Sequence, residues 1–121
     1  MRLRYSVALA SMFALMSFSG SAAAKPARIP VRVVVVTTFE LGSDKGDTPG
    51  EFQAWVEKLP LDEDLPAPGS YHEVLRYNSQ LHVLGIVTGE GPSHMASAMT
   101  GLALDPRFDL RKAYFILAGI G

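Results

Sequence analysis

The stretch VRVVVVTTF, residues 31–39, constrains this chain more than any other. Val31, Val33, Val34, Val35 and Val36 form a nearly unbroken β-branched run, which favours extended backbone. Polar residues do not alternate with the apolar ones, so both faces of the strand need apolar neighbours. That is the pattern of a strand inside a helix-covered sheet. The chain must therefore supply helices for both faces.

Two segments meet that demand. In DTPGEFQAWVEKLP, Thr48 suits an N-cap, Pro49 the first helical position, and Glu51 completes a Thr-x-x-Glu capping box. Phe52, Trp55, Val56 and Leu59 fall on one apolar stripe, and Pro60 ends the helix. The second helix starts near Pro92, with Met95, Met99, Leu102 and Ala103 as its buried stripe and Asp105-Pro106 as its stop. Between them LDEDLPAPGS reads as an acidic surface loop, with Asp62, Glu63 and Asp64 as a solvated face. A hairpin follows, one arm from Tyr71 to Tyr77, a turn at Asn78-Ser79-Gln80, and a second arm from Leu81 to Thr88. KAYFILAG reads as a last strand of the buried type. The order β, α, β, β, α, β predicts an α/β fold with a mixed sheet flanked by helices.

The N-terminus has a different logic. MRLRY is basic, VALASMFALMSF is an apolar run of 12 residues, and SGSAAA offers small residues before Lys25. This is the pattern of a signal peptide over residues 1–24, and the run is short for a bilayer span. KPARIP, residues 25–30, reads as an extended linker because its prolines lack the N–H groups a helix needs. Without the leader, 97 of the 121 residues remain, with 9 basic against 12 acidic side chains, a net charge of −3. That balance excludes a basic nucleic-acid surface. The chain has no cysteine, so an exported domain of this size depends on its apolar core.

Ligands of α/β sheets collect at the carboxyl ends of strands. Three loops start there: at Thr37-Thr38-Phe39-Glu40, at Thr88-Gly89-Glu90-Gly91, and at Gly119-Ile120-Gly121. The glycines allow close backbone approach, and the helix start carrying Ser93 and His94 offers unpaired N–H groups to an anion such as phosphate. Turn glycines without a ligand explain the same spacing. His72, His82 and His94 are too scattered for metal-ligand spacing, and His82 reads as a structural histidine within a strand. Composition and spacing carry the reading no further than an exported α/β domain.

TTFE, GDTPGEFQAWVE, LGIVTG and LALDPRFDL, ending in AGI, together resemble the purine nucleoside permease family over essentially all of the chain after the leader. Ala103 stands where that family's pattern has Gly. The family in turn is similar to the nucleoside phosphorylase and nucleosidase superfamily. That resemblance implies a nucleoside phosphorylase-like fold that is incomplete at the C-terminus, the chain being an N-terminal fragment with the purine-binding residues beyond it. It implies that Glu40 is the acidic, catalytic position after the first strand. It places Thr88, Gly89, Glu90, Gly91 and Gly119 at the substrate, and their places at the strand end and the helix start add Thr38, Phe39 and Ser93. Two functions stay open, beside a third reading in which the domain keeps the fold without the chemistry. One is capture and transport of a purine nucleoside outside the cytoplasm, in the periplasm or beyond, with a membrane transport partner. The other is cleavage of the N-glycosidic bond, with water or co-substrate phosphate as nucleophile and Glu40 holding the water or a ribose hydroxyl. Neither needs a cofactor or a metal, and both are compatible with a homo-oligomer.

Overall fold

The structure is a computed structural model in which residues 22–119 are described. The expected leader lies outside the described residues apart from Ala22, Ala23 and Ala24, as do Ile120 and Gly121. Strands β1 (Ile29–Pro30) and β2 (Val33–Thr37) come first. They are followed by α1 (Gln53–Lys58), β3 (Glu63–Pro66), β4 (Val74–Asn78), β5 (Val83–Val87), α2 (Pro92–Leu104), β6 (Phe108–Asp109) and β7 (Tyr114–Leu117).

The valine run sits where its composition requires. In a five-stranded sheet of order β3-β4-β5-β2-β7, β2 lies between two parallel neighbours. Val34 and Val36 face a core built with Leu84, Ile86 and Leu102, against which Met95 and Met99 of α2 pack. Val35 faces the opposite core, formed with Phe52, Val56, Leu61, Val83 and Val87 around α1. Each fully buried valine contributes about 1.5–3 kcal/mol. The sheet is mixed as expected, because the β4–β5 hairpin and the β3–β4 pair are antiparallel.

Gly85 in mid-β5 makes the α1 face possible. A Cβ there would lie 2.6 Å from Cε2 and Cζ of Phe52 and 3.0 Å from Cδ1 of Leu61. The missing side chain is the notch that the Phe52 ring fills.

Several expectations are corrected. The first helix starts at Gln53 with Phe52 as its N-cap residue, and the Thr48–Glu51 capping box does not form. Glu51 is turned back towards the end of β2, and Glu40 serves α1 in its place. The acidic stretch is partly a strand, because β3 pairs with β4 in the register Asp64↔Arg76. Arg76 bonds Asp64 and grips Asp44 through Nε (2.5 Å) and Nη2 (2.6 Å), fastening the loop after β2 to the sheet. The hydrogen bonds that Arg76 donates to Asp44, together with the charges of Asp44, Asp64 and Asp62, outweigh burial and raise the Arg76 pKa. The hairpin turn is longer than expected, since β5 begins at Val83. His82 therefore lies in the turn, at φ 56°, rather than in a strand. It is structural all the same: the Tyr77 hydroxyl donates to the Pro30 carbonyl, so the His82 Nδ1–H donates to that hydroxyl at 3.0 Å.

Ala103 is exposed, which leaves Leu102 as the fully buried member of the α2 stripe. The end of the expected linker also takes part in the fold, because Ile29 and Pro30 pair in parallel with Phe108 and Asp109. The largest departure is β7. Its sequence is of the buried type, yet Tyr114 is 78% and Leu117 64% exposed. The strand adds to the edge of β2, and among the described residues neither core reaches past its flanking Ala113 and Ala118.

Candidate functional site

Because β2, β5 and β7 are parallel, their C-terminal ends share one edge of the sheet. Short hydrogen bonds tie these ends together. Thr88 donates to the Thr37 carbonyl through its N–H (2.9 Å) and its hydroxyl (3.2 Å), and the Ala118 N–H donates to Val36 (2.8 Å). Thr37 returns its hydroxyl to the Ile86 carbonyl at 3.3 Å. Thr37, Thr38 and Thr88 are all buried, so their polar groups need these partners.

The segment from β2 to α1 is closed by two glutamates acting in opposite directions. Glu40, just after β2, reaches forward: Oε1 accepts the N–H groups of Leu41 and Gly50, and Oε2 accepts those of Phe52 (2.8 Å) and Gln53 (2.5 Å). These include the first N–H groups of α1, which have no partner within the helix. Glu51, just before α1, reaches back. Its Oε2 accepts the Thr38 N–H (2.9 Å), the Thr38 hydroxyl (2.7 Å) and the Phe39 N–H (3.4 Å). The Glu51 N–H donates to the Phe39 carbonyl at 3.4 Å. The two carboxylates thus exchange partners across the loop.

Gly119 completes this edge. A Cβ at Gly119 would stand 2.5 Å from Oε2 of Glu51 and 2.8 Å from the Thr38 nitrogen. The turn after β7 therefore passes directly over the end of β2, and only glycine fits there. Thr38, Glu51, Thr88, Gly89 and Gly119 are brought together. Phe39 is half-buried beside them. The carboxylate of Glu40 points into the α1 start, with both oxygens engaged. Glu90, Gly91 and Ser93 lead away into α2, and Glu90 and Ser93 are exposed. Gly91, at φ 85°, is the N-cap residue of α2, and no side chain caps that helix.

Sequence reasoning missed Glu51 as a site residue, because Thr-x-x-Glu looks locally like a cap. It also missed a cavity of about 510 Å³ between the 67–71 loop and α2, lined by Tyr71, Thr88, His94, Ser97, Asp105 and Arg107 among others. Thr88 is common to this cavity and the strand ends, and Tyr71 and His94 pack against the neighbouring Gly89. His94 donates Nδ1–H to the Glu90 carbonyl at 2.8 Å. Asp105 lies below its ordinary pKa because Arg107 hydrogen-bonds its carboxylate. Among the described residues no group of three or more His, Cys, Asp or Glu side chains could hold a metal ion.

The pattern of one protein family, described as purine nucleoside permease (NUP), matches residues 30–121. This chain belongs to the purine nucleoside permease family. Two curated relatives are similar to it. One, from Schizosaccharomyces pombe, is named a probable purine nucleoside permease; it is 28% identical over 93% of this chain and 32% of its own length. The other, a purine nucleoside permease of Candida albicans, is 31% identical over 58% of this chain and 18% of its own length. The chain thus spans about a third or less of the relatives it matches. No solved structure matches at the same significance. The family match runs from Pro30 in β1 through β7, so it takes in the whole strand-end site and both glutamates.

Proposed function

We propose that this chain captures purine nucleosides outside the cytoplasm, at the C-terminal ends of β2, β5 and β7, for a membrane transport partner. The observation that carries this is the family match over residues 30–121, which includes Thr38, Phe39, Thr88, Gly89, Glu90, Gly91, Ser93 and Gly119. These residues stand at the C-terminal ends of parallel strands, where ligands of α/β sheets collect. The basic and apolar leader pattern over residues 1–24 supports export. Glu40 serves this role by positioning, since its oxygens already accept four backbone N–H groups. Among the described residues no helix is long and apolar enough to cross a membrane, and the passage step is assigned to the partner.

Calorimetric titration of the full-length protein with adenosine, guanosine and uridine, with chromatography of each mixture, tests the proposal. Saturable binding of the purine nucleosides, recovered intact, is the expected result. Absence of binding at millimolar nucleoside would remove the proposal, and accumulation of free adenine would turn capture into N-glycosidic cleavage.

A further inference from the structure

We propose that Glu51 is a built-in anion: it fills an oxyanion cradle at the end of β2, so the strand-end site selects neutral ligands and excludes inorganic phosphate. Naming a nucleoside as the neutral ligand rests on the function proposed above; the exclusion of phosphate does not.

Three donors converge on one oxygen. The Thr38 N–H, the Thr38 hydroxyl and the Phe39 N–H all point at Oε2 of Glu51. Successive backbone N–H groups joined by a hydroxyl form the concavity that binds phosphate oxygens at strand-to-helix loops. Here the protein supplies the oxygen itself, from a residue 13 positions further along the chain. Thr38 is 1% exposed, so its donors have little access to water and depend on that oxygen.

The cradle is also closed from above. The turn carrying Gly119 leaves no room even for a Cβ beside the same oxygen. A phosphate oxygen placed among these donors would occupy the position of Oε2, and the rest of the phosphate would meet a like charge. The backbone bond from Glu51 to Phe39 anchors the carboxylate to the loop it fills. Glu51 is therefore a specificity-determining residue. A neutral ligand at this edge meets strand-end backbone and Gly89, whereas an anion meets a negative charge that already holds the donors.

The test uses the full-length protein without nucleoside, titrated with inorganic phosphate against chloride at equal ionic strength. Thermal unfolding and the amide signals of Thr38 and Phe39 are followed. Phosphate stabilises folded proteins in general, so the readout is the difference between variants. The wild type is expected to show no saturable rise in Tm and no shift at either amide. Glu51→Ala empties the cradle and is expected to gain saturable binding, seen as a phosphate-dependent rise in Tm. That gain remains visible if the variant is only marginally folded, because bound phosphate then restores it. Glu51→Gln keeps an oxygen in the cradle without the charge. It is expected to stay folded and to bind phosphate at least tenfold more weakly than Glu51→Ala. Saturable phosphate binding by the wild type at Thr38 and Phe39 would overturn the proposal, as would a Glu51→Ala variant that gains nothing. Failure of the wild type to bind adenosine, with these phosphate results intact, would remove the nucleoside reading alone.

Discussion

Glu40→Ala is expected to destabilise the folded protein by roughly 3 kcal/mol, because it removes the acceptor of four backbone N–H groups at once. Hydrogen bonds to a charged group are each worth about 1.5–3 kcal/mol, and part of the loss is recovered as water reaches the loosened loop. The effect is large because α1 has only six residues and no other side-chain cap. A helix that short depends on packing and capping rather than on propensity. Glu40→Gln keeps one acceptor oxygen but sets an NH2 against backbone N–H groups, and about half the loss is expected. Urea denaturation of the full-length protein reads both, against Lys58→Ala on the exposed side of α1 as control. A loss from Glu40→Ala within about 0.5 kcal/mol of the control would show that the loop does not need the carboxylate.

Gly85→Val is the second large effect, at about 3 kcal/mol, the upper part of the usual range for overpacking a core. The new Cβ would fall 2.6 Å from two atoms of the Phe52 ring and 3.0 Å from Leu61. Phe52 is 1% exposed and Leu61 is fully buried, so neither can swing into solvent. Gly85 also sits in a strand paired on both sides, opposite Val35 and Arg76, so β5 cannot shift to relieve the clash. Phe52→Leu should recover part of the loss, and the double-mutant cycle should show coupling of about 1 kcal/mol or more. Additive losses would mean that the ring does not occupy the notch.

Both predictions concern contacts between segments far apart in sequence, which is where the sequence was least legible. The central strand was clear because VVVVT tolerates no other placement, and both helices followed from their apolar stripes. Glu51 was misassigned because a capping box is defined by neighbours three residues apart, whereas its partners Thr38 and Phe39 lie beyond a whole loop. Strand β3 was missed because Glu63, Asp64 and Pro66 disfavour a strand on propensity. It forms through pairing with β4 and the hold of Arg76 on Asp64. β7 carries the residues of a buried strand, and exposure is set by what packs on it, which composition does not report. Of the candidate site, Thr38, Thr88, Gly89 and Gly119 were legible as strand-end residues. The role of Glu40 was not, since an acidic residue after a first strand reads equally as a catalyst or as a cap.

The most direct test of the account follows the backbone amides of the full-length protein as adenosine is added. Saturable shifts are expected at Thr38, Gly89 and Gly119, at the ends of three different strands, with Ser79 and Gln80 in the β4–β5 turn unchanged. Saturable binding that leaves those three amides unmoved would contradict it and place the nucleoside elsewhere on the protein.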